Sequence, residues 1–201
     1  MTKFRYEEPS IARKDDAIDY IKEHLEYKSS INGTGSLDSY YEDYQLWLDI
    51  LNYRKNLEYP NPDFKVPSLT YFLVRSDDNK IVGMCNIRTK LNSALKFEGG
   101  HIGYGIRPTE RNKGYNKINL YLALKLCKKL NIDEILLDAD VSNVASWKTM
   151  EALGGIRIKE YIGYDQTPGY KYKIDVNKSL DEYSDIYEQY VEDEYENKRV
   201  Y

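Results

Sequence analysis

One stretch limits the architecture more than any other: IRPTERNKGYNKINLYLALKLC, residues 106–127. A strand ends at Ile106, and Pro108 stops it. A turn carrying Arg111, Lys113 and Gly114 follows. Leu120, Leu124 and Cys127 then recur at helical spacing, with Ile118, Tyr121 and Leu122 beside them. That pattern predicts a helix over residues 116–130. Residues 134–139 (EILLDA) read as a short apolar strand of the kind that sits inside a sheet. Strand, helix and strand in succession predict a mixed α/β domain.

The flanks agree. Ala17, Ile18, Ile21 and Leu25 predict a helix over residues 15–27. Residues 29–40 (SSINGTGSLDSY) read as a loop broken by Gly33 and Gly35. Tyr44, Trp47, Leu48 and Leu51 predict a second helix over residues 40–57, stopped by Pro60, Pro62 and Pro67. Residues 69–75 and 80–88 read as a strand pair around an Asp77-Asp78-Asn79 turn, and residues 100–106 as a third strand. A helix over residues 145–153 ends at Gly154 and Gly155, and strands follow near 156–161 and 170–176. Leu180, Tyr183, Tyr187, Tyr190 and Val191 make a last helical stripe among acids. The expected organisation is one domain over residues 1–178 and an acidic, Tyr-rich C-terminal helix or tail over residues 179–201.

Charge and composition exclude several functions. Net charge is −4, from 29 bases and 33 acids. Residues 181–201 hold eight of those acids and two of the bases, so the rest of the chain is nearly neutral. No positive field argues for nucleic acid. Cys85 and Cys127 sit in apolar segments and read as buried thiols, and two histidines, His24 and His101, offer no metal-ligand spacing. The N-terminus is charged throughout, and no apolar run reaches the length of a bilayer span. The expectation is a soluble cytoplasmic protein with no membrane partner and no metal. Tyr is in excess, 21 against four Phe, so aromatic bulk comes with hydroxyls that want partners. Nine of those tyrosines follow residue 160. They cover a surface, either of this chain or of a second copy in a homodimer.

Chemistry concentrates in the turn at Arg111–Asn116. Glycine lets a backbone pass close to a ligand, and the first amides of a helix can bind an anion. On the residues alone the turn is either a pyrophosphate cradle or an ordinary strand–helix turn with surface bases. Arg111-Asn112-Lys113-Gly114-Tyr115-Asn116 resembles the Arg/Gln-x-x-Gly-x-Gly/Ala signature of the GNAT superfamily of N-acetyltransferases, with Asn116 departing at the last position. Asn143 and Ser146 in VSNVASWKTMEALGG resemble the family's Asn-x-x-Ala/Ser helix. With the element order, the resemblance covers roughly residues 10–176, closest to a branch of bacterial acetyltransferases sharing GGHIGY and the NGTGSLDSY loop.

The resemblance implies a central splayed sheet flanked by helices, with acetyl-CoA as co-substrate. Amides of Asn112, Lys113, Gly114, Tyr115 and Asn116 would hold the pyrophosphate, with Arg111 and Lys113 adding charge. Backbone groups of Tyr104 and Ile106 would pair with the pantetheine, and the Tyr104 amide would polarise the thioester carbonyl. Asn143 and Ser146 would contact the pantetheine from the other side. The implied reaction is direct attack by a primary amine of a small molecule or peptide.

Two catalytic positions depart from the family. Gly100 stands where one branch carries a glutamate base, leaving Glu98 and His101 as candidates. Met150 stands where many members carry a tyrosine acid, leaving Tyr104, a water, or no acid at all. A catalytically silent acyl-CoA-binding or sensor module is therefore the alternative. For the acceptor, Arg88 could bind a carboxylate, Asn86 lies on the same strand, and Gly33 and Gly35 would give a lid its mobility.

Overall fold

The computed structural model describes residues 1–58 and 66–192. Pro60, Pro62 and the end of the acidic tail lie outside them. Strands β1 (Phe4–Glu7), β2 (Ser68–Arg75), β3 (Lys80–Arg88) and β4 (Ile102–Ile106) form an antiparallel sheet in that order. Strands β5 (Glu134–Asp140), β6 (Ile156–Ile162) and β7 (Pro168–Asp175) form a second antiparallel sheet with β7 in the middle. The sheets meet where His101 N–H donates to Leu136 O at 2.7 Å and Leu136 N–H donates to His101 Nδ1 at 2.9 Å. Beyond this join β4 and β5 share no ladder. They run in the same direction, because Tyr104 reaches Ser146 in the helix that follows β5. The central sheet is therefore splayed, with its apex at His101 and Leu136.

Helices cover both faces. Helices α1 (Lys14–Glu26) and α3 (Tyr44–Lys55) lie on one, where Tyr20, Ile21, Trp47, Phe72 and Met84 are buried together. Between them sits α2 (Leu37–Tyr40), a turn of helix inside the segment expected to be a loop. Asp43 caps α3 by accepting from Leu46 N–H at 3.1 Å, which splits the predicted second helix there. A short helix α4 (Ser93–Phe97), capped by Asn92, precedes β4. On the other face α5 (Tyr115–Lys129) packs with α6 (Val144–Glu151) and α7 (Val176–Tyr187) over Ile135, Leu137 and Ile174.

Seven consecutive residues of α5, from Ile118 to Leu124, are buried because α7 lies over the side turned away from the sheet. Tyr187 is 8% exposed, and its ring lies 5.5 Å from that of Tyr121, whose hydroxyl donates to Glu188 at 2.7 Å. The expected boundary after residue 178 falls within α7, which packs on α5. The tyrosines at 183 and 187 cover this chain's own surface. No described helix is long and apolar enough to cross a membrane.

Candidate active site

The splay holds a cleft of about 510 Å³. Residues 102–106 form one wall, while residues 138–140 with Asn143 and Ser146 form the other. Strand alternation fixes what β4 offers it. Arg107 N–H donates to Val82 O on β3, so the backbone groups of Tyr104 and Ile106 point the other way, into the cleft. The Tyr104 side chain crosses the cleft, its hydroxyl 3.1 Å from Ser146 Oγ. Burial pushes the phenol far above its ordinary pKa, so it is a neutral donor at physiological pH. Asn143 accepts from Ser146 N–H at 3.2 Å and caps α6. Asn143 and Ser146 thus share one helix start.

The cleft opens onto the turn before α5. Asn112 has φ 62° and Gly114 has φ 80°, both left-handed, and no side chain caps the helix. Among the described residues none of the amides of Asn112 to Asn116 has a partner. Gly114 is held to glycine by conformation alone, since a Cβ there would meet nothing within 4 Å. The turn is pinned from below. Buried Glu110 accepts from Arg75 at 2.7 Å, Lys113 at 2.8 Å and Lys80 at 3.3 Å. Burial opposes ionisation there, but these three cations win and hold its carboxyl down at about 2. Arg111 Nε donates to Ile106 O at 3.1 Å and its Nη2 to Ser29 Oγ at 2.6 Å, tying the turn to β4 and to the loop after α1. The Tyr115 ring packs 4.7 Å from Phe4.

The predicted catalytic and acceptor residues are more scattered. Glu98 accepts from Tyr164 N–H at 2.8 Å and does not line the cleft. His101 spends its Nδ1 on Leu136 N–H at the apex, and burial drops its pKa to about 4, so it is a neutral strut. Gly100 has φ 58°, and a Cβ there would stand 2.2 Å from Leu136 O, so the sheet join leaves no room for a glutamate. Asn86 is buried away from the cleft, donating to Thr70 Oγ1 at 2.9 Å. Gly33 and Gly35 have φ 75° and 61° and lie against close neighbours. A Cβ on Gly33 would meet Tyr104 Cα at 2.7 Å, and one on Gly35 would meet Thr70 Oγ1 at 2.5 Å, so both serve close packing. Arg88 does line the cleft, with Nη1 donating to Gly99 O and Gly100 O at 2.9 Å each.

Sequence reasoning missed Asp138. It lines the cleft from β5, pairs with Lys171 at 2.7 Å and accepts from Gly99 N–H at 3.1 Å. Burial raises its pKa, with Lys171 opposing. The available signal was an acid inside a strand otherwise read as apolar. Among the described residues no group of three or more His, Cys, Asp or Glu could hold a metal.

The acetyltransferase (GNAT) family model matches residues 35–154, more than half of the chain. No curated protein matches it. Several solved structures share the fold. The ribosomal-protein-S5-alanine acetyltransferase of Vibrio fischeri superposes with TM-score 0.62 at 12% identity, over 87% of this chain and 93% of that one. A GNAT-family acetyltransferase of Bacillus anthracis gives 0.59 at 16% identity, over 87% and 96%. The dodecameric spermidine N-acetyltransferase of Vibrio cholerae gives 0.59 at 14% identity, over 90% and 97%. With its splayed sheet, its uncapped turn before α5 and this family match, the chain belongs to the GNAT family of N-acetyltransferases.

Proposed function

We propose that the cleft binds acetyl-CoA and transfers its acetyl group to a primary amine of a small molecule or peptide, by direct attack in a ternary complex. The observation that carries this reading is the run of unpartnered amides from Asn112 to Asn116 at the mouth of the splay. Anions bind such a helix start. The pyrophosphate would sit there, with Arg111 and Lys113 beside it. Pantetheine would lie along β4 against the outward backbone groups of Tyr104 and the Ile106 amide, the Ile106 carbonyl being held by Arg111, with Asn143 and Ser146 opposite. The Tyr104 amide would polarise the thioester carbonyl, and its neutral phenol could protonate the departing sulfur. Arg88, at the apex end, would meet an acceptor carboxylate. Amine acceptors agree with the spermidine and ribosomal-protein enzymes that share the fold. The cytoplasm, where acetyl-CoA is made available and both buried thiols stay reduced, is the expected compartment.

Isothermal titration with acetyl-CoA tests the reading, and no binding at millimolar ligand refutes it. Gly114→Asp puts a carboxylate into the cradle where the side chain meets nothing. It should abolish binding while the domain stays folded. The occupied Gly100 and Met150 positions keep a silent acyl-CoA-binding module as the second reading. Binding without thiol release across a broad amine panel would favour it.

A further inference from the structure

We propose that Asp138, held at the apex of the splay by Lys171 and the Gly99 amide, is the group that takes the proton from the acceptor amine. The proposal deepens the acetyl-transfer reading above and rests on it.

The placement comes from two strands. Leu136 is the last residue of β5 bonded to the β4 side, and Asp138 follows two positions later, where the cleft opens. Ile135, Leu137 and Ala139 face the α5 core, so Asp138 faces the opposite side. On β4, Ile102 and Ile106 belong to that same core, which puts Gly103 and Gly105 on Asp138's face. Arg88 reaches it too, its Nη2 lying 3.7 Å from where a Gly103 Cβ would stand. An amine entering between the loop of Ser30 and Asn32 and the apex therefore meets this carboxylate beside Tyr104, whose amide faces the thioester position.

The surroundings suit a proton acceptor. The Asp138 side chain is 6% exposed and that of Lys171 9%, so the pair is withdrawn from water. Oδ1 forms an ion pair with Lys171 at 2.7 Å, Oδ2 accepts from Gly99 N–H at 3.1 Å, and the Tyr161 hydroxyl also bonds to the carboxylate, which fixes the group in place. Acceptor capacity remains on both oxygens. The charged and titratable groups that act on it are Lys171 from β7, Tyr161 from β6 and Arg88 from β3, while Glu98 from the loop before β4 and Asp140 on its own strand act on Tyr161. Other candidates are committed elsewhere: Glu98 to Tyr164, His101 to Leu136, and Glu110 to three cations. In the step, the ammonium gives one proton to Asp138 and becomes the free amine. Its nitrogen then bonds to the thioester carbon. The C–S bond breaks, and the sulfur leaves with the electron pair and takes the Tyr104 phenol's proton, which the nitrogen's second proton replaces. Asp138 returns its proton to solvent.

Two small probes separate this role from a structural one. Ethylamine is an ammonium at pH 7 and needs a base, whereas hydroxylamine is already neutral. With saturating acetyl-CoA, Asp138→Asn should cut thiol release with ethylamine on the order of 100-fold and leave hydroxylamine within about threefold. The ethylamine deficit should shrink as pH rises toward the amine's own deprotonation. Acetyl-CoA affinity should be unchanged by calorimetry. Because Asp138→Asn strands a buried ammonium, the double variant Asp138→Asn/Lys171→Met is measured beside it. It should be as stable as wild type and still slow with ethylamine. Equal loss with both probes, or recovery of ethylamine transfer in the double variant, overturns the proposal and leaves Asp138 a mere counterion. Wild-type protein that binds acetyl-CoA but acetylates neither probe overturns it while sparing the cofactor reading. Failure to bind acetyl-CoA at all removes both.

Discussion

Replacing Glu110 by Gln tests whether the cradle is built by electrostatics. The side chain keeps its shape but loses the charge that Arg75, Lys80 and Lys113 share. Its carboxyl falls from an ordinary 4.5 to about 2 on folding. Each unit is worth about 1.4 kcal/mol, so ionised Glu110 contributes about 3 kcal/mol to stability. Lys80 and Lys113 are over a third exposed and screened, which trims the expectation to about 2 kcal/mol at moderate salt. The folded value lies below the unfolded one. The contribution is therefore complete above pH 4.5 and is lost as pH falls toward 2. Urea titrations of wild type and Glu110→Gln should differ by about 2 kcal/mol at pH 7 and converge near pH 2. Acetyl-CoA should also bind the variant more weakly, because Lys113 loses the carboxylate that fixes it under the turn, while Arg75 keeps Asp78. A difference below about 1 kcal/mol at pH 7, or one that does not narrow with acid, would refute the reasoning.

Three further outcomes follow from the same geometry. Gly100→Ala should destabilise the fold severely, because its Cβ would overlap Leu136 O at 2.2 Å and open the sheet join; a thermal melt within a few degrees of wild type would contradict this. Tyr104→Phe removes the hydroxyl that meets Ser146 across the cleft, costing about 1 kcal/mol. If that phenol is the acid, kcat falls with acetyl-CoA affinity unchanged, and an unaltered kcat assigns the proton to water. Burial lowers the His101 pKa from 6.5 to about 4, so the unfolded chain binds the extra proton first. Its stability contribution is full above pH 6.5 and lost as pH falls to 4; denaturation profiles of His101→Gln should be flatter across that window.

What the sequence showed clearly was local. Lys80–Arg88 and the start of α5 within one residue came from an apolar run after a turn and from helical spacing, which owe nothing to distant partners. Strand β1 was illegible because FRYE, though it alternates, is only four residues long; it exists because Phe4 and Tyr6 pair with Arg75 and Leu73 some 70 positions away. The predicted strand at residue 100 begins two residues later, since Gly99 and Gly100 both take positive φ and make a turn at the sheet join.

The same ambiguity governs the site. A glycine signals freedom to a reader of sequence, but it signals closeness when another backbone lies against it. At Gly33, which also has φ 75°, a Cβ would stand 2.7 Å from Tyr104 Cα, and only the tertiary partner reveals that closeness. The half of the cleft proposed to hold phosphate was legible because one continuous turn makes it. The acceptor-facing half was not, because it is assembled from β3, the Gly99–Gly100 turn, β5 and β7. Asp138 and Lys171 lie 33 residues apart and become a pair only through the β5–β7 register, where they stand directly opposite. A charge inside an apolar strand is costly unless something compensates it. So an acid such as Asp138 in EILLDAD is the place to look for a hidden partner when a family's expected base position holds a glycine.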